Sequence, residues 1–319
     1  MSSIQRVAVL GASGPLGQFI VPALLQSGFD ITVISRPGGH GYTGTSAKAV
    51  KVIEAAYDDL AALTAAFRDH DALVEAFNPA ATAHKHTIVQ AALAAEVTHL
   101  VTNEFGHDSF HRNGAELPVS ASKIEAQRVL EEELRKATVD GKAAPLAWTA
   151  IITSTWYDFA IRKGFFPLNP ATRTITRFGS GNQRTSITRA ALVGKAVVAV
   201  LREPERFQNR PVYVASHTIT TNELITLAKE IAPEKSWNVV DISDLEAFKQ
   251  QGLHLWSEDR KNGEGWLHTQ AFMMLSAVLV FDEHNRYGAD FGEKLEPGWG
   301  ESREEFKDHL KQLIEEVRK

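Results

Sequence analysis

Four apolar residues in a row, Val7-Ala8-Val9-Leu10, run directly into Gly11-Ala12-Ser13-Gly14-Pro15-Leu16-Gly17. The chain then resumes with Phe19, Ile20, Val21, Leu24 and Leu25 at helical spacing. An unbroken apolar run is what a strand buried on both faces of a parallel sheet needs. Strand, glycine turn, helix is the context in which a glycine motif carries meaning. Gly11 permits the tight turn, Gly14 lets backbone approach a pyrophosphate, and Gly17 lets helix and strand pack closely, with Ser13, Pro15 and Leu16 completing the loop. The phosphates then meet the free N–H groups and dipole of the helix N-terminus. The spacing is G-x-x-G-x-x-G rather than G-x-G-x-x-G, so a glycine-rich turn of another α/β protein stays open at this point.

A second strand, Asp30–Ile34, ends in Ser35-Arg36-Pro37. A fold that binds NAD carries an acid about 20 residues past the glycines to take the ribose 2′-hydroxyl. Arg36 stands nineteen residues beyond Gly17, and no acid occurs between Ile31 and Lys51. A guanidinium complements a 2′-phosphate, which makes NADP(H) the expected cofactor; an exposed strand-end arginine is the bland alternative. Strands over 49–55, 71–77, 99–102 and 146–153 alternate with helices over 58–68, 84–96 and 120–136. That rhythm predicts a Rossmann-like, doubly wound parallel sheet. Its ligands belong beyond the strand carboxyl ends, where the glycine loop, Arg36, Asn78-Pro79 and Asn103-Glu104-Phe105-Gly106 all fall.

From about Trp156 the texture changes to short strands and turns. The expected organisation is an NADP-binding domain over 1–155 and a smaller α/β substrate domain over 156–319. The stretch around 212–232 is a candidate to pack back onto the sheet. Thr220–Glu223 and Ser302–Glu305 read as capping boxes that open helices. Trp156, Tyr157, Phe165, Phe166, Trp266, Phe272 and Met273 are candidates to line an apolar pocket, although aromatic and Met density between 253 and 282 suits a core equally well.

Composition narrows the function classes. Thirty-four Lys and Arg against 39 Asp and Glu leave a net charge of −5, so no basic field invites nucleic acid or an anionic membrane. The absence of cysteine removes thiolate zinc sites and Cys nucleophiles. No run approaches the ~18 apolar residues of a membrane span, and the N-terminus does not read as a signal peptide. The expectation is a soluble, cytoplasmic protein acting on a small molecule, as a monomer or homodimer. No metal is expected: His84 and His86 diverge on a helix, and His107 and His111 share a face only if their segment is helical. The Tyr-x-x-x-Lys pair of ordinary short-chain dehydrogenases is missing, since Val119 stands four before Lys123.

The Gly11–Gly17 loop, Arg36, Thr102-Asn103-Glu104-Phe105-Gly106, Leu117-Pro118-Val119 and Lys123 together resemble the NmrA-like and isoflavone-reductase-like atypical short-chain dehydrogenases. Gly179-Ser180-Gly181-Asn182 and Thr221–Leu224 are similar to further landmarks of that group, and the overall flavour is that of its fungal branch, which tailors secondary metabolites. The resemblance implies NADPH binding, with Asn78, Asn103, Phe105 and Lys123 beside the glycine loop and Arg36, and it implies Lys123 as the acid/base. Gln127-Arg128 replaces two adjacent arginines usual in the family's reductases, and Ser13 replaces a common Thr, so the plant substrates do not carry over.

A lysine suits that role. Burial and a cationic neighbour lower an ammonium's pKa toward a useful range. A surface helix lysine paired with Glu125 or Glu131 is the competing reading. The expected function is an NADPH-dependent reductase of a small, largely apolar, aromatic metabolite. The alternative is an NADP-binding regulatory sensor without turnover.

Overall fold

The computed structural model describes residues 3–39, 41–44, 49–138, 146–233, 236–262, 267 and 269–317. In chain order the first part holds β1 (Arg6–Leu10), α1 (Gly17–Gln26), β2 (Asp30–Ser35), β3 (Lys51–Glu54), α2 (Leu60–Phe67), β4 (Ala72–Glu75), α3 (Lys85–Ala94), β5 (His99–Val101), α4 (Ala121–Lys136) and β6 (Ala147–Ile152). Then come β7 (Thr155–Trp156), α5 (Tyr157–Lys163), β8 (Leu168–Asn169), β9 (Thr174–Phe178), β10 (Arg184–Thr188), α6 (Ala190–Arg202), α7 (Pro204–Phe207) and β11 (Arg210–Tyr213). The last part holds β12 (His217–Thr220), α8 (Thr221–Ile231), β13 (Asn238–Ile242), α9 (Leu245–Lys261), α10 (Gln270–Phe281) and α11 (Arg303–Glu316).

Among the described residues one sheet has seven strands in the order β11-β6-β5-β4-β1-β2-β3. From β3 across to β6 every pairing is parallel. The order reverses between β1 and β4, which is the switch point where ligands of doubly wound sheets bind. Val7, Ala8, Val9 and Leu10 are wholly buried, as an apolar strand covered on both faces must be. Helix α1 packs with α6, and α3 packs with both α2 and α4. The α1–α6 approach is close enough that a Cβ on Gly194 would lie 2.4 Å from the Phe19 carbonyl oxygen.

The chain forms two compact units that interleave along the sequence. One comprises Met1–Phe105, Ala121–Ile152 and Ala190–Val212, and the other Gly106–Ser120, Thr153–Arg189 and Tyr213–Lys319. A single boundary at 155/156 therefore gives way to several crossings. The reason is the sheet: α6 covers it beside α1, and β11 adds its seventh strand. Of the stretch 212–232, the end of β11 extends that sheet, whereas β12 and α8 belong to the second unit.

The second unit contains two three-stranded sheets, β12-β10-β7 and β13-β9-β8. One core joins α5, α8 and α11 through Tyr157, Ile161, Leu224, Leu227, Phe306 and Leu310. Another joins Leu117 and Val119 to Leu275, Val278 and Leu279 of α10, with Phe248, Trp256 and Phe272 against it. Both anticipated capping boxes form, Thr220 with Glu223 and Ser302 with Glu305. Among the described residues no helix is long and apolar enough to cross a membrane.

Candidate functional site

The glycine turn is built by exclusion. Gly11 has φ +80°, and a Cβ there would lie 2.4 Å from Phe77 Cα, so any side chain would drive β1 and β4 apart at the switch point. A Cβ on Gly17 would lie 2.0 Å from the Ala12 carbonyl oxygen. The turn closes through Gly14 N–H donating to Gly11 C=O at 3.0 Å. Helix α1 opens without a side-chain cap at Leu16 and without an acid in its first turn. Its end thus combines an uncapped, dipole-positive terminus with backbone that nothing bulky screens, which suits a phosphate.

Arg36 is exposed immediately after β2. Its charge is felt by the buried Tyr57 phenol, whose pKa burial pushes up to about 12 while Arg36 opposes the rise. The Tyr57 ring lies 5.6 Å from Phe77 and 6.3 Å, edge-on, from His84. This aromatic group beside the glycine turn escaped the sequence reading. Its signal was available: Tyr57 and Phe77 both follow strands at their carboxyl ends.

Asn78 is exposed and caps the 3₁₀ turn Pro79–His84, accepting from Ala80 N–H at 2.9 Å. Asn103 is buried, and its amide donates to the carbonyls of Glu75, at 3.1 Å, and Phe77. Phe105 is buried with φ +29°, an unusual backbone for a non-glycine residue. Lys123, in the first turn of α4, is 7% exposed, and its ammonium donates to the Glu104 carbonyl oxygen. The Glu104 carboxylate stands 3.7 Å away and is itself buried. Burial pulls the lysine's pKa below its ordinary value, and Glu104 resists that fall. The surface-lysine reading fails here: Glu125 is taken by Arg128 at 2.7 Å, and Glu131 bonds Gln127. One unit therefore holds the glycine loop with Ser13, Pro15 and Leu16, Arg36, Asn78, Asn103, Phe105 and Lys123 at its strand carboxyl ends.

The described aromatic and Met candidates divide among two cores and the surface. Tyr157 is wholly buried in the α5–α8–α11 core, where its hydroxyl meets His309 Nδ1 at 2.6 Å, and Phe166 joins the same core. These two are core residues rather than pocket lining: Tyr157 opens α5, and Phe166, just beyond that helix, joins the same cluster as Phe306, Leu310 and Leu313 of α11. Trp156 is half-buried and donates to Thr153 Oγ1 at 3.0 Å, while Phe165 is exposed. Phe272 is half-buried against the other core, and Met273 is also half-buried. Trp266 lies outside the described residues. The segment holding His107 and His111 is a series of turns, not a helix, so the shared-face premise does not apply. Asp108 within it accepts from the Tyr213 hydroxyl at 3.1 Å and the Lys294 ammonium at 3.0 Å.

The profile of the NmrA-like family matches residues 3–316, nearly the whole chain. The chain belongs to the NmrA-like family. Oxidoreductase aprR of Aspergillus flavus is 30% identical to this NmrA-like protein over 259 residues, 81% of the chain and 84% of that relative. Pinoresinol reductase 2 of Arabidopsis thaliana is 25% identical over 277 residues, 78% of the chain and 83% of that relative. The solved complex of leucoanthocyanidin reductase with NADPH from Vitis vinifera superposes with a TM-score of 0.69. It covers 98% of this chain and 99% of that one at 15% identity, a likeness of fold.

Proposed function

We propose that this NmrA-like protein is an NADPH-dependent reductase of a small, largely apolar, aromatic metabolite, with Lys123 as its proton-transfer group. The observation that carries the proposal is a buried lysine at the carboxyl ends of the sheet strands, in the same unit as an uncapped glycine-turn helix and Arg36. The cofactor side is supported by fit. The Gly11–Gly17 turn excludes side chains where backbone meets backbone, the α1 N-terminus offers free N–H groups to a pyrophosphate, and Arg36 follows β2 where a 2′-phosphate needs a cation. NADPH, when bound, supplies a hydride. A solved relative of this fold is named as an NADPH complex, and two sequence relatives are named an oxidoreductase and a pinoresinol reductase.

Lys123 Nζ is held by the Glu104 carbonyl oxygen and faces the Glu104 carboxylate. Desolvation eases release of one proton to an oxyanion or carbanion, and the neutral amine is then a base for a phenol. The Glu104 carboxylate opposes loss of that charge. In the second unit, half-buried Trp156 and Met273 and exposed Phe165 supply apolar surface.

The purified protein, titrated with NADPH and NADH and then screened with phenolic ethers, enones and aryl ketones for NADPH oxidation, tests this directly. Preference for NADPH with turnover of at least one such compound is the expected result. Preference for NADH overturns the cofactor assignment. Tight NADPH binding with no oxidation across the screen favours a regulatory dinucleotide sensor instead.

A further inference from the structure

Against the Asn103–Glu104 turn lies a second pair of buried charges that the proposed chemistry does not use. Glu75, the last residue of β4, is 0% exposed, and Lys85, the first residue of α3, is 3% exposed. The Lys85 ammonium donates to Glu75 Oε2, and the same oxygen accepts from Asn103 N–H at 3.0 Å. The other oxygen, Oε1, has no hydrogen-bond partner among the described residues. Taking two charges out of water costs several kcal/mol per ion, and well-packed apolar residues in such places are often as stable or more so. Fold stability alone is thus a poor reason for the pair.

The geometry points to what it does. Asn103 is clamped from both sides: its backbone N–H by the Glu75 carboxylate, its side-chain amide by the carbonyls of Glu75 and Phe77. The next residue turns sharply, with Glu104 N–H donating to Thr102 C=O at 2.8 Å, and Phe105 follows at positive φ. A turn of this kind is strained and persists only where its surroundings over-determine it. Glu104 is the residue this turn presents, and its carbonyl and carboxylate are the groups set against Lys123.

We infer that Glu75 is a positioning residue: held by Lys85, its carboxylate anchors Asn103 N–H and so fixes the Glu104 oxygens that hold the Lys123 ammonium. Its consequence for turnover rests on the proposed role of Lys123; its consequence for Lys123 itself does not. The ionisable group that acts on this lysine is Glu104; the turn Pro79–His84, which ends in His84, and α3, which opens with Lys85, pack against α4.

The test reads Lys123 without substrate or cofactor. Lysine labelled with ¹³C at Cε is titrated by NMR in the full chain, and the Lys123 resonance is assigned by its loss in Lys123→Met. Two paired variants both remove the buried charges: Glu75→Gln/Lys85→Met keeps an acceptor for Asn103 N–H, and Glu75→Leu/Lys85→Met does not. Loss of Glu104 as a partner lowers a buried ammonium's midpoint, so the Leu/Met pair is expected to fall by about one pH unit or more while the Gln/Met pair stays near the wild type. Equal midpoints in both pairs, whether unchanged or equally shifted, overturn the positioning role. Hydrogen exchange at the Asn103 amide of the unaltered protein covers a Leu/Met pair that does not fold. Strong protection supports the anchor, and exchange at the rate of an open loop overturns it. Turnover lost in Lys123→Met, or retained there, bears on the proposed function and leaves this outcome unaffected.

Discussion

The Lys123 ammonium and the Glu104 carboxylate stand 3.7 Å apart, each side chain less than a tenth exposed. Such a pair is costly to break from one side, because the member left behind is a buried, uncompensated charge. Lys123→Met keeps much of the stem's volume and removes the donor. NADPH affinity is expected to change little, while kcat/KM falls by the roughly 10²–10⁴-fold that a positioned acid/base contributes. Cofactor Kd and single-turnover hydride transfer, measured on one variant with a compound found in the NADPH screen, separate a proton-transfer role from a binding role. An unchanged turnover rate removes the lysine from the mechanism.

Arg36 is the residue expected to set the cofactor preference. Its guanidinium is exposed after β2 and free to meet a 2′-phosphate, so Arg36→Ala is expected to weaken NADPH binding by about 1.5–3 kcal/mol. NADH, which lacks that phosphate, is expected to bind almost as before. Fluorescence titration with both nucleotides checks this, and equal losses for the two contradict it.

Gly11→Ala tests the switch-point turn. A methyl group would meet the Phe77 backbone at 2.4 Å on a residue already at φ +80°. Both strain and clash oppose it, and neither is relieved by rotating a side chain. Loss of more than about 2 kcal/mol in urea unfolding, or failure to fold, is the expected outcome. A variant with wild-type stability and NADPH affinity would show the turn to be more yielding than its contacts require.

Tyr157→Phe probes the second unit's core. The Tyr157 hydroxyl keeps its proton, since burial raises its pKa, and shares a hydrogen bond with His309 Nδ1. Removing it leaves a buried polar partner unmatched, which costs about 1–3 kcal/mol. Chemical denaturation reads the loss, and NADPH affinity is expected to stay near that of the wild type.

Acid sensitivity follows from two buried histidines. His99 and His309 each have a pKa lowered by burial to about 4, below the ordinary value near 6.5. His99 Nε2 meets Thr149 Oγ1 at 2.9 Å, and that hydroxyl donates onward to the Phe207 carbonyl, so the neutral ring is the donor. Between pH 6.5 and 4 the unfolded chain binds protons that the folded chain refuses. Stability therefore falls as pH drops through that window, by up to roughly 3 kcal/mol per histidine, and levels off below it. Denaturation curves from pH 8 to 4 check the slope, and His99→Gln is expected to flatten part of it.

The sheet was legible from residue types alone because strands covered on both faces are near-continuously apolar, and Val7–Leu10 wholly, and Ile31–Ile34 in all but Thr32, satisfy that rule without reference to anything distant. The glycine turn was legible for a similar local reason, and so were the Thr220 and Ser302 capping boxes, whose partners stand three residues apart. Arg36 could be placed because its distance from the glycines is fixed by one helix and one strand. What the residues left open at Lys123 was decided by burial: only the folded chain shows that Glu104, nineteen positions away, holds the ammonium while Glu125 pairs with Arg128.

The aromatic residues of the second half show the limit most clearly. Tyr157, Phe166 and Phe272 have the composition of a pocket and of a core alike, and hydropathy does not distinguish them. Tertiary packing sends the first two against α11 and its neighbours and the third against the other core. The interleaving of the two units was equally hidden, since nothing local tells α6 that its partner is α1. Glu75 and Lys85 are ten residues apart, and only the return of the chain from β4 into α3 buries them together against Asn103. Local chemistry thus determined the strands, the caps and the glycine turn. Contacts between distant segments decided which charges lost their water, because desolvation depends on everything that surrounds a group and not on its neighbours in sequence.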